Sequence, residues 1–217
     1  MLDQYKTIYQ QAQVEFIERK SKFIGYAFPV KSEAEALEHL ENIRKLHFKA
    51  THNCFAYQIG ENNQFKKQSD DGEPSGTAGM PILDYIQKSG LKNILIVVTR
   101  YYGGILLGTG GLVRAYGRGA SLAAAAGLII EKNLNQKFQI SVPYNLSGKI
   151  EHDLRSGGYN LLDIIYEDVV KFEVVIENAR ACNFVKHITD LTSSIADISP
   201  MGVVYTALVK GKITLIE

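Results

Sequence analysis

The segment TRYYGGILLGTGGLVRAYGRG, residues 99–119, concentrates the residue types most able to do chemistry. It contains seven glycines, three arginines, three tyrosines and no acidic residue, and it follows the apolar run NILIVV. A glycine-rich turn between a strand and a helix leaves backbone amides free and permits close approach of a ligand. Such a turn is compatible with a nucleotide site, a nucleic-acid contact or a tight structural turn.

Neither of the two standard nucleotide-binding motifs is complete in this segment. A P-loop requires Lys and then Ser or Thr after its last glycine, whereas Gly108 is followed by Thr109 and Gly110. A dinucleotide fingerprint, G-x-G-x-x-G, begins at Gly108 but has Val113 at its sixth position. The remaining hypothesis is a more general anion site.

The segment predicts phosphate contacts at the start of a helix. Free amides and the helix dipole favour an anion there, and guanidinium groups suit bidentate phosphate contacts. Arg114 and Arg118 are four residues apart and share a helix face, and neighbouring tyrosines could stack on bases. The alternative is that the arginines are solvated and the glycines serve packing alone. The predicted phosphate- or nucleic-acid-binding residues are Arg100, Tyr101, Tyr102, Gly103, Gly104, Gly108, Thr109, Gly110, Gly111, Arg114 and Arg118.

The second candidate is the acidic loop SDDGEPSGTAG. Its carboxylates could hold Mg²⁺ or act as acid and base, but Asp, Gly and Pro also form turns. A third hypothesis pairs one carboxylate with Arg100 or Arg114, so that the loop supports the glycine turn. We favour turn formation or support over a metal, because adjacent aspartates do not easily point at one ion. The residues of this predicted supporting loop are Asp70, Asp71, Glu73, Ser75 and Thr77.

The histidines and cysteines form no recognisable reactive set. His47 and His52 have no partner at metal-ligand spacing, and no Ser-His-Asp order can be singled out. We interpret both as polar surface or hydrogen-bonded residues. Cys54 and Cys182 are far apart in sequence and predict two reduced thiols. We therefore expect no catalytic residue, no metal and no cofactor, and a protein that is not an enzyme.

The composition is that of a soluble globular protein. Of 217 residues, 46% are hydrophobic and 22% are charged, and the net charge is +1, so the molecule as a whole does not attract nucleic acid. The N-terminus lacks the features of a signal peptide, and the longest apolar stretch, LAAAAGLII, has about half of the ~20 residues that span a bilayer. We expect a cytoplasmic protein that has no membrane partner.

The first half of the chain predicts a mixture of strands and helices. Residues 14–30 are typical of a β-hairpin, and residues 91–100 of a strand buried on both faces. Ser32 is the predicted cap of a helix, and Ser75 or Thr77 of a later one. In the first helix, Leu37, Leu40, Ile43 and Leu46 should face the core. In a helix near 109–128, a ridge of small residues that permits close packing is formed by Gly111, Ala115, Gly119 and Ala123.

The second half predicts a separate small domain. The polar segment 131–137 is interpreted as a linker, and the pattern beyond it is β-α-β-β-α-β, typical of a ferredoxin-like module. In VVKFEVVIE, Val170, Phe172, Val174 and Ile176 should share the buried face. The predicted fold class is α+β, with an N-terminal domain over 1–134 and a ferredoxin-like domain over 135–217.

Four motifs resemble those of the IMPACT family, including its bacterial YigZ-like members. They are KSKFIGYAFPV, KATHNCFAY, SDDGEPSGTAGMPIL and VVTRYYGGILLGTGGLVRAYGRGA, in that order, and the resemblance covers roughly residues 15–125. It implies that the first domain has the fold shared by domain IV of elongation factor G (ribosomal S5 domain 2-like), ribonuclease P protein and the GHMP kinases. The second domain resembles domain V of elongation factor G.

The resemblance also implies a role in translation. Eukaryotic relatives act in translational control by binding the activator of an initiation-factor kinase, a partner that we do not transfer to a bacterial chain. Nucleic-acid or ribosome binding is the usual inference for bacterial members. We therefore expect a non-catalytic regulator that binds RNA or ribosomal particles. The alternatives are a small-molecule phosphate- or nucleotide-binding protein, including a GHMP-kinase-like enzyme, and a protein-interaction module with a protein partner.

Overall fold

The computed structural model describes residues 1–216, and the chain forms two compact units. One unit comprises residues 5–131, and the other comprises residues 1–4 together with the chain from 132 onward. Helices and strands are both present in each unit, and the fold class is α+β with two domains, as predicted.

The unit of residues 5–131 is a five-stranded antiparallel sheet with helices on both faces. Its sheet has the strand order β2-β3-β6-β4-β5. The polypeptide begins with β1 (Gln4–Ile8), β2 (Ala12–Glu18), β3 (Ser21–Pro29), α1 (Glu33–Leu46), β4 (His52–Ile59) and β5 (Phe65–Ser69). It continues with α2 (Gly79–Lys88), β6 (Ile94–Tyr101) and α3 (Thr109–Ala126).

Strand β6 lies at the centre of this sheet, and its side chains enter two cores. Ile96 and Val98 pack beneath α2 and α3, whereas Leu95 and Val97 pack beneath α1. This alternation follows from the period of two in a strand, and it explains why the apolar run has no polar face. The prediction of a strand buried on both faces is confirmed. The same alternation decides which face receives Arg100 and which receives Tyr101.

Helix α1 begins as predicted, but its apolar face is narrower than expected. The hydroxyl oxygen of Ser32 accepts a hydrogen bond from the amide of Glu35 at 3.2 Å, which satisfies a free amide of the first turn. Leu40 and Ile43 are buried, whereas Leu37 is 43% and Leu46 64% exposed. The expectation for these two leucines is wrong, because a single helix covers this face and only its central stripe contacts the sheet.

Helix α3 packs very closely on the sheet at two glycines. A Cβ atom added to Gly25 of β3 would lie 2.7 Å from the carbonyl oxygen of Gly119 and 3.1 Å from the Cβ of Ala123. Gly119 itself faces Val98. Gly119 and Ala123 of the predicted ridge therefore contact the sheet, whereas Gly111 faces Leu107 of the preceding loop. Part of the glycine content of residues 99–119 thus has a packing cause.

The second unit has the ferredoxin-like strand order. Its elements are β7 (Ile129–Val142), α4 (Tyr144–Ser156), β8 (Asn160–Tyr166), β9 (Val170–Glu177), α5 (Ala181–Leu191), β10 (Asp197–Val209) and β11 (Lys212–Ile216). The sheet order is β11-β10-β7-β9-β8, which is the ferredoxin arrangement with one added edge strand. The alternating residues Val170, Phe172, Val174 and Ile176 are buried as predicted.

The polar segment 131–137, in which the first unit ends and the second begins, is part of the long strand β7 rather than an irregular linker. Its side chains are polar and still find partners within the sheet, since Asn135 is buried and donates to the hydroxyl oxygen of Thr206 at 2.7 Å. β7 pairs with both β9 and β10. Pairing on two sides outweighs the low strand propensity of asparagine.

Replacing Gly25 by alanine tests the close approach of α3. We expect Gly25→Ala to lower the free energy of unfolding by about 1–3 kcal/mol, because the new methyl group would meet backbone that has no room to move. Gly117→Ala on α3 is the matched control. No atom lies within 4 Å of an added Cβ there, so it should raise stability by up to about 1 kcal/mol. Urea unfolding of both variants measures this, and equal effects would contradict the packing account.

Candidate phosphate-contacting site

A buried ion pair joins the acidic loop to the end of β6. Nη1 of Arg100 donates to Oε1 of Glu73 at 2.7 Å, and the two side chains are 6% and 4% exposed. The hydroxyl of Tyr116 on α3 donates to the same oxygen at 2.7 Å. The structure thus contains the pairing between acidic loop and arginine that the third hypothesis predicts, and this pairing extends to α3.

The guanidinium of Arg100 is buried and makes several contacts within the protein. Nη2 donates to the hydroxyl oxygen of Ser21 at 3.2 Å, and its guanidinium lies over the rings of Phe23 and Tyr102 at 5.5 and 5.3 Å. Its Nε has no hydrogen-bond partner within residues 1–216. Since Arg100 is only 5% exposed, the structure gives it a structural role rather than the phosphate contact expected from sequence.

Asp70 holds the start of α2. Its Oδ1 accepts hydrogen bonds from the amides of Ala78 and Gly79 at 3.0 and 2.9 Å, and its Oδ2 from the amide of Gly76 at 2.8 Å. Partial burial alone would raise the pKa of Asp70, but these three amides outweigh it, and the pKa is lowered from its ordinary value. The cap of α2 is thus Asp70, and the expectation that Ser75 or Thr77 serves there is wrong.

The other residues of the acidic loop form its turns. Asp71 has φ +44° and Gly72 φ +88°, and the amide of Glu73 donates to the carbonyl of Asp70 at 2.9 Å, which closes a tight turn. Oδ2 of Asp71 accepts from the amide of Asn53 at 2.6 Å.

Downstream of that turn, the hydroxyl of Thr77 donates to the carbonyl of Pro74 at 2.6 Å, and Ser75 is exposed. The carboxylates of the loop are directed at different protein groups. Within residues 1–216, no three His, Cys, Asp or Glu side chains are grouped to hold a metal.

Two buried groups next to Glu73 stay protonated. Burial, and after it Cys54 and Glu73, raises the pKa of Tyr116 far above its ordinary value. Burial is also the main cause of the raised pKa of Cys54, whose thiol donates to the carbonyl of Asp70 at 3.0 Å. A thiol held in this form is a poor nucleophile. Both groups act as hydrogen-bond donors that fix the loop.

The two histidines are hydrogen-bonded. Nδ1 of His52 donates to the carbonyl of Asp71 at 2.7 Å, and its Nε2 lies 3.8 Å from Oε1 of Glu73. His47 lies between the hydroxyls of Tyr26 and Tyr101, at 2.5 and 2.9 Å. Burial, and after it Lys22, lowers the pKa of His47, which favours a neutral ring.

Tyr101 and Tyr102 point to opposite faces of the sheet. Tyr101 packs with the α1 core and contacts His47, so it lies on the face away from α3. Tyr102 is 46% exposed, and one side of its ring faces the guanidinium of Arg100. The expectation that both tyrosines join one site is therefore wrong for Tyr101, because adjacent residues of a strand alternate in direction.

The loop between β6 and α3 is fixed at its first glycine. Ser21 accepts from the amide of Gly103 at 3.2 Å, and a Cβ at this position would overlap the carbonyl oxygen of Lys20. Gly103 thus allows the backbone to contact the β2–β3 turn. Gly104 and Gly108 have φ +82° and +72°, a region that favours glycine. These three glycines shape the loop rather than only leaving space for a ligand.

The first turn of α3 presents free amides beside an unpaired cation. The residue before the helix, Gly108, provides no side-chain cap, and Gly108, Thr109 and Gly110 are exposed. Nη1 of Arg114 lies 3.6 Å from the position of a Cβ on Gly110. Within residues 1–216, no hydrogen bond or ion pair engages the Arg114 guanidinium. The amides and this cation together form a site suited to an anion.

A groove of about 260 Å³ continues from this turn along α3. Its lining includes the small residues Gly111 and Ala115, the cations Arg19, Arg114 and Arg118, and the carboxylate of Glu18. Arg118 lies 3.6 Å from a carboxylate oxygen of Glu18 and over the ring of Phe16 at 4.7 Å. Its charge is thus partly balanced, whereas that of Arg114 is not. With three arginines and one glutamate, the lining has a net positive charge.

Sequence reasoning missed the contribution of the β2–β3 hairpin. Ser21 anchors both Arg100 and Gly103, and Arg19 donates to the carbonyl of Leu106 at 3.5 Å. The signal was present in the motif KSKF, but its polar residues resembled an ordinary hairpin turn. Tyr116 was missed because a tyrosine within an apolar helix is usually a packing residue.

Asp70→Asn tests the role of this carboxylate as the cap of α2. At neutral pH we expect a loss of about 0.5–2 kcal/mol in unfolding free energy, the usual cost of losing a cap. Because the folded-state pKa is lowered, the wild-type carboxylate contributes stability above its unfolded pKa of ~3.9 and loses it as the pH falls through the folded value. The difference between wild type and variant should therefore shrink below about pH 4.

Asp84→Asn is the matched control, since Asp84 lies on α2 and its one polar contact within residues 1–216 is the ion pair with Lys88 at 3.9 Å. Urea unfolding at several pH values measures both variants. A constant difference for Asp70→Asn between neutral and acidic pH would contradict the capping role.

Comparison with known proteins matches both units to described families. The profile of the Impact N-terminal domain matches residues 19–124, which include the acidic loop and the start of α3. Residues 140–194 match a domain of unknown function, DUF1949. A crystal structure of a hypothetical protein is similar with a TM-score of 0.58 and 30% identity, and the match covers 91% of this chain and 97% of that one. Within residues 1–216, none of the helices is sufficiently long and apolar to span a bilayer.

Named relatives agree with these matches. IMPACT family member YvyE of Bacillus subtilis is 42% identical over 205 residues, which is 94% of each chain. IMPACT family member YigZ of Escherichia coli is 35% identical over 80% of this chain and 86% of its own. The IMPACT homologue of Dictyostelium discoideum is 43% identical over 98 residues, or 42% of this chain and 27% of its own. The resemblance predicted from the four motifs is confirmed, and the chain belongs to the IMPACT family.

Proposed function

We propose that this protein binds RNA, free or in ribosomal particles, through phosphate contacts at the start of α3, and that it acts in translation without catalysing a reaction. The observation that carries the proposal is the uncapped first turn of α3 with the unpaired Arg114 beside it. Amides of Thr109, Gly110 and Gly111 would donate to one phosphate, and the guanidinium of Arg114 would balance its charge.

The groove extends this contact beyond a single anion. Arg19 and Arg118 also line it, so that a second phosphate could be bound along α3. Arg118 contributes less than Arg114, because binding there requires that it leave Glu18. Three arginines in one groove are better matched to the repeating charges of a backbone than to a compact nucleotide. The exposed ring of Tyr102 is available to stack on a base.

The engaged carboxylates of the acidic loop weigh against a nucleotide ligand. Membership of the IMPACT family agrees with the translational role that the resemblance implies. A kinase-like site would need carboxylates for Mg²⁺, but Asp70 accepts from three amides and Glu73 binds Arg100. These engagements weigh against the nucleotide hypothesis. A thermal-shift screen with ATP, GTP and Mg²⁺ tests the nucleotide hypothesis. A ligand present at 100 times its dissociation constant would raise the free energy of unfolding by about 2.7 kcal/mol.

Arg114→Gln tests the proposed phosphate contact. We expect weaker binding to all structured RNAs to a similar extent, and a log–log salt slope smaller in magnitude by about 0.9, the effect of one lost phosphate contact. Fluorescence anisotropy with labelled RNA at several salt concentrations gives both quantities. Arg118→Gln should reduce the slope by less, because its charge is shared with Glu18.

Lys88→Gln provides the charge-matched control. Lys88 lies at the end of α2, its side chain is 82% exposed, and it is not part of the groove. This variant should keep the wild-type slope. Undetectable wild-type binding at ~50 mM salt, or an unchanged slope in Arg114→Gln, would overturn the proposed function.

A further inference from the structure

The loop between β6 and α3 holds an apolar side chain in solvent beside the basic groove. Leu106 is 80% exposed, and Ile105 and Tyr102 in the same loop are 38% and 46% exposed. The phosphate contacts described above use none of these apolar groups. A single exposed leucine is ordinary, but three exposed apolar side chains in one anchored loop suggest a contact made with a partner.

Three anchors fix the backbone on both sides of Leu106. The amide of Tyr102 donates to the hydroxyl oxygen of Thr51 at 3.0 Å, and the carbonyl of Leu106 accepts from Arg19 at 3.5 Å. The side chain of the next residue, Leu107, enters the core beneath α3 and is 8% exposed. Leu106 and Leu107 therefore point in different directions, Leu107 into the core and Leu106 into solvent.

The charges around the loop indicate the chemistry of the partner. Arg19 contacts the loop itself and also lines the groove with Arg114 and Arg118. An apolar tip next to several cations matches a polymer that offers both phosphates and flat apolar faces. Bases present such faces only where they are not stacked within a helix. A regular duplex would meet the cations but would leave the leucine in water.

We infer that this loop recognises unstacked bases, with Leu106 inserted between two bases of a bulge or single-stranded turn and Tyr102 stacked on a neighbouring one. The inference rests on the proposed function, since Arg114 and the first turn of α3 hold the adjacent phosphates. It names the class of RNA that the site selects: RNA whose stacking is interrupted. Apolar side chains are known to enter base steps in this way, and base stacking on aromatic rings is independent of sequence.

The test compares a regular RNA duplex with the same duplex carrying a bulge. The full-length protein should bind the bulged RNA more tightly, and Leu106→Ser should lower this preference by roughly tenfold, the effect of losing the burial of one leucine side chain. Binding to the regular duplex and its salt slope should not change. Leu106→Met should keep the preference, because methionine offers a similar apolar surface.

Leu46→Ser is the matched control, since Leu46 is 64% exposed on α1 and belongs to neither the loop nor the groove. Leu106 is so exposed that its replacement should leave the urea unfolding curve unchanged, and this curve is measured for each variant. A preference for bulged RNA that survives in Leu106→Ser, or an absent preference in the wild type, overturns the inference. In either case, a reduced salt slope in Arg114→Gln would still support the proposed function. If the wild-type protein binds no RNA at all, the proposed function and this inference both fail.

Discussion

The buried pair of Glu73 and Arg100 is the interaction on which the geometry of the candidate site depends. It joins the acidic loop to β6, and the hydroxyls of Tyr116 and Ser21 add α3 and the β2–β3 hairpin to the same cluster. Removing one partner of such a pair leaves an uncompensated buried charge and typically costs about 3–5 kcal/mol. Four elements therefore keep their relative positions because one carboxylate and one guanidinium must remain together.

Residues of this cluster support the candidate site, whereas other residues nearby face solvent. The carboxylates of the acidic loop bind backbone amides and Arg100. They therefore hold α2 and β6 in place and are not free to bind a ligand. The groups that remain available lie at the start of α3 and on the hairpin turn, notably Arg19 and Arg114. A motif that resembles a reactive cluster in sequence is thus mainly a structural support for a neighbouring cationic surface.

The sequence predicted the elements of this protein better than the partners of its side chains. A helix cap identified α1, a continuous apolar run identified β6 and alternation identified β9, since these signals are local. They failed for the segment 131–137, where pairing with two other strands makes a polar sequence extended. Arg100 was expected to bind phosphate and, in one hypothesis, to pair with the acidic loop. No local signal decides between the two, because its partner Glu73 lies 27 residues earlier in the chain. The period of the strand already indicates that Tyr101 points to the face opposite Arg100.

The central claim is that the first turn of α3, held in place by this cluster, contacts RNA phosphates through its backbone amides. Amide hydrogen exchange resolved at residues 103–111, with and without saturating RNA, tests it most directly because it reports on those amides without any substitution. The account predicts slower exchange at Thr109, Gly110 and Gly111 when RNA is bound, and no change at the end of α2. Bound RNA that protects another surface and leaves these three amides unchanged would contradict it.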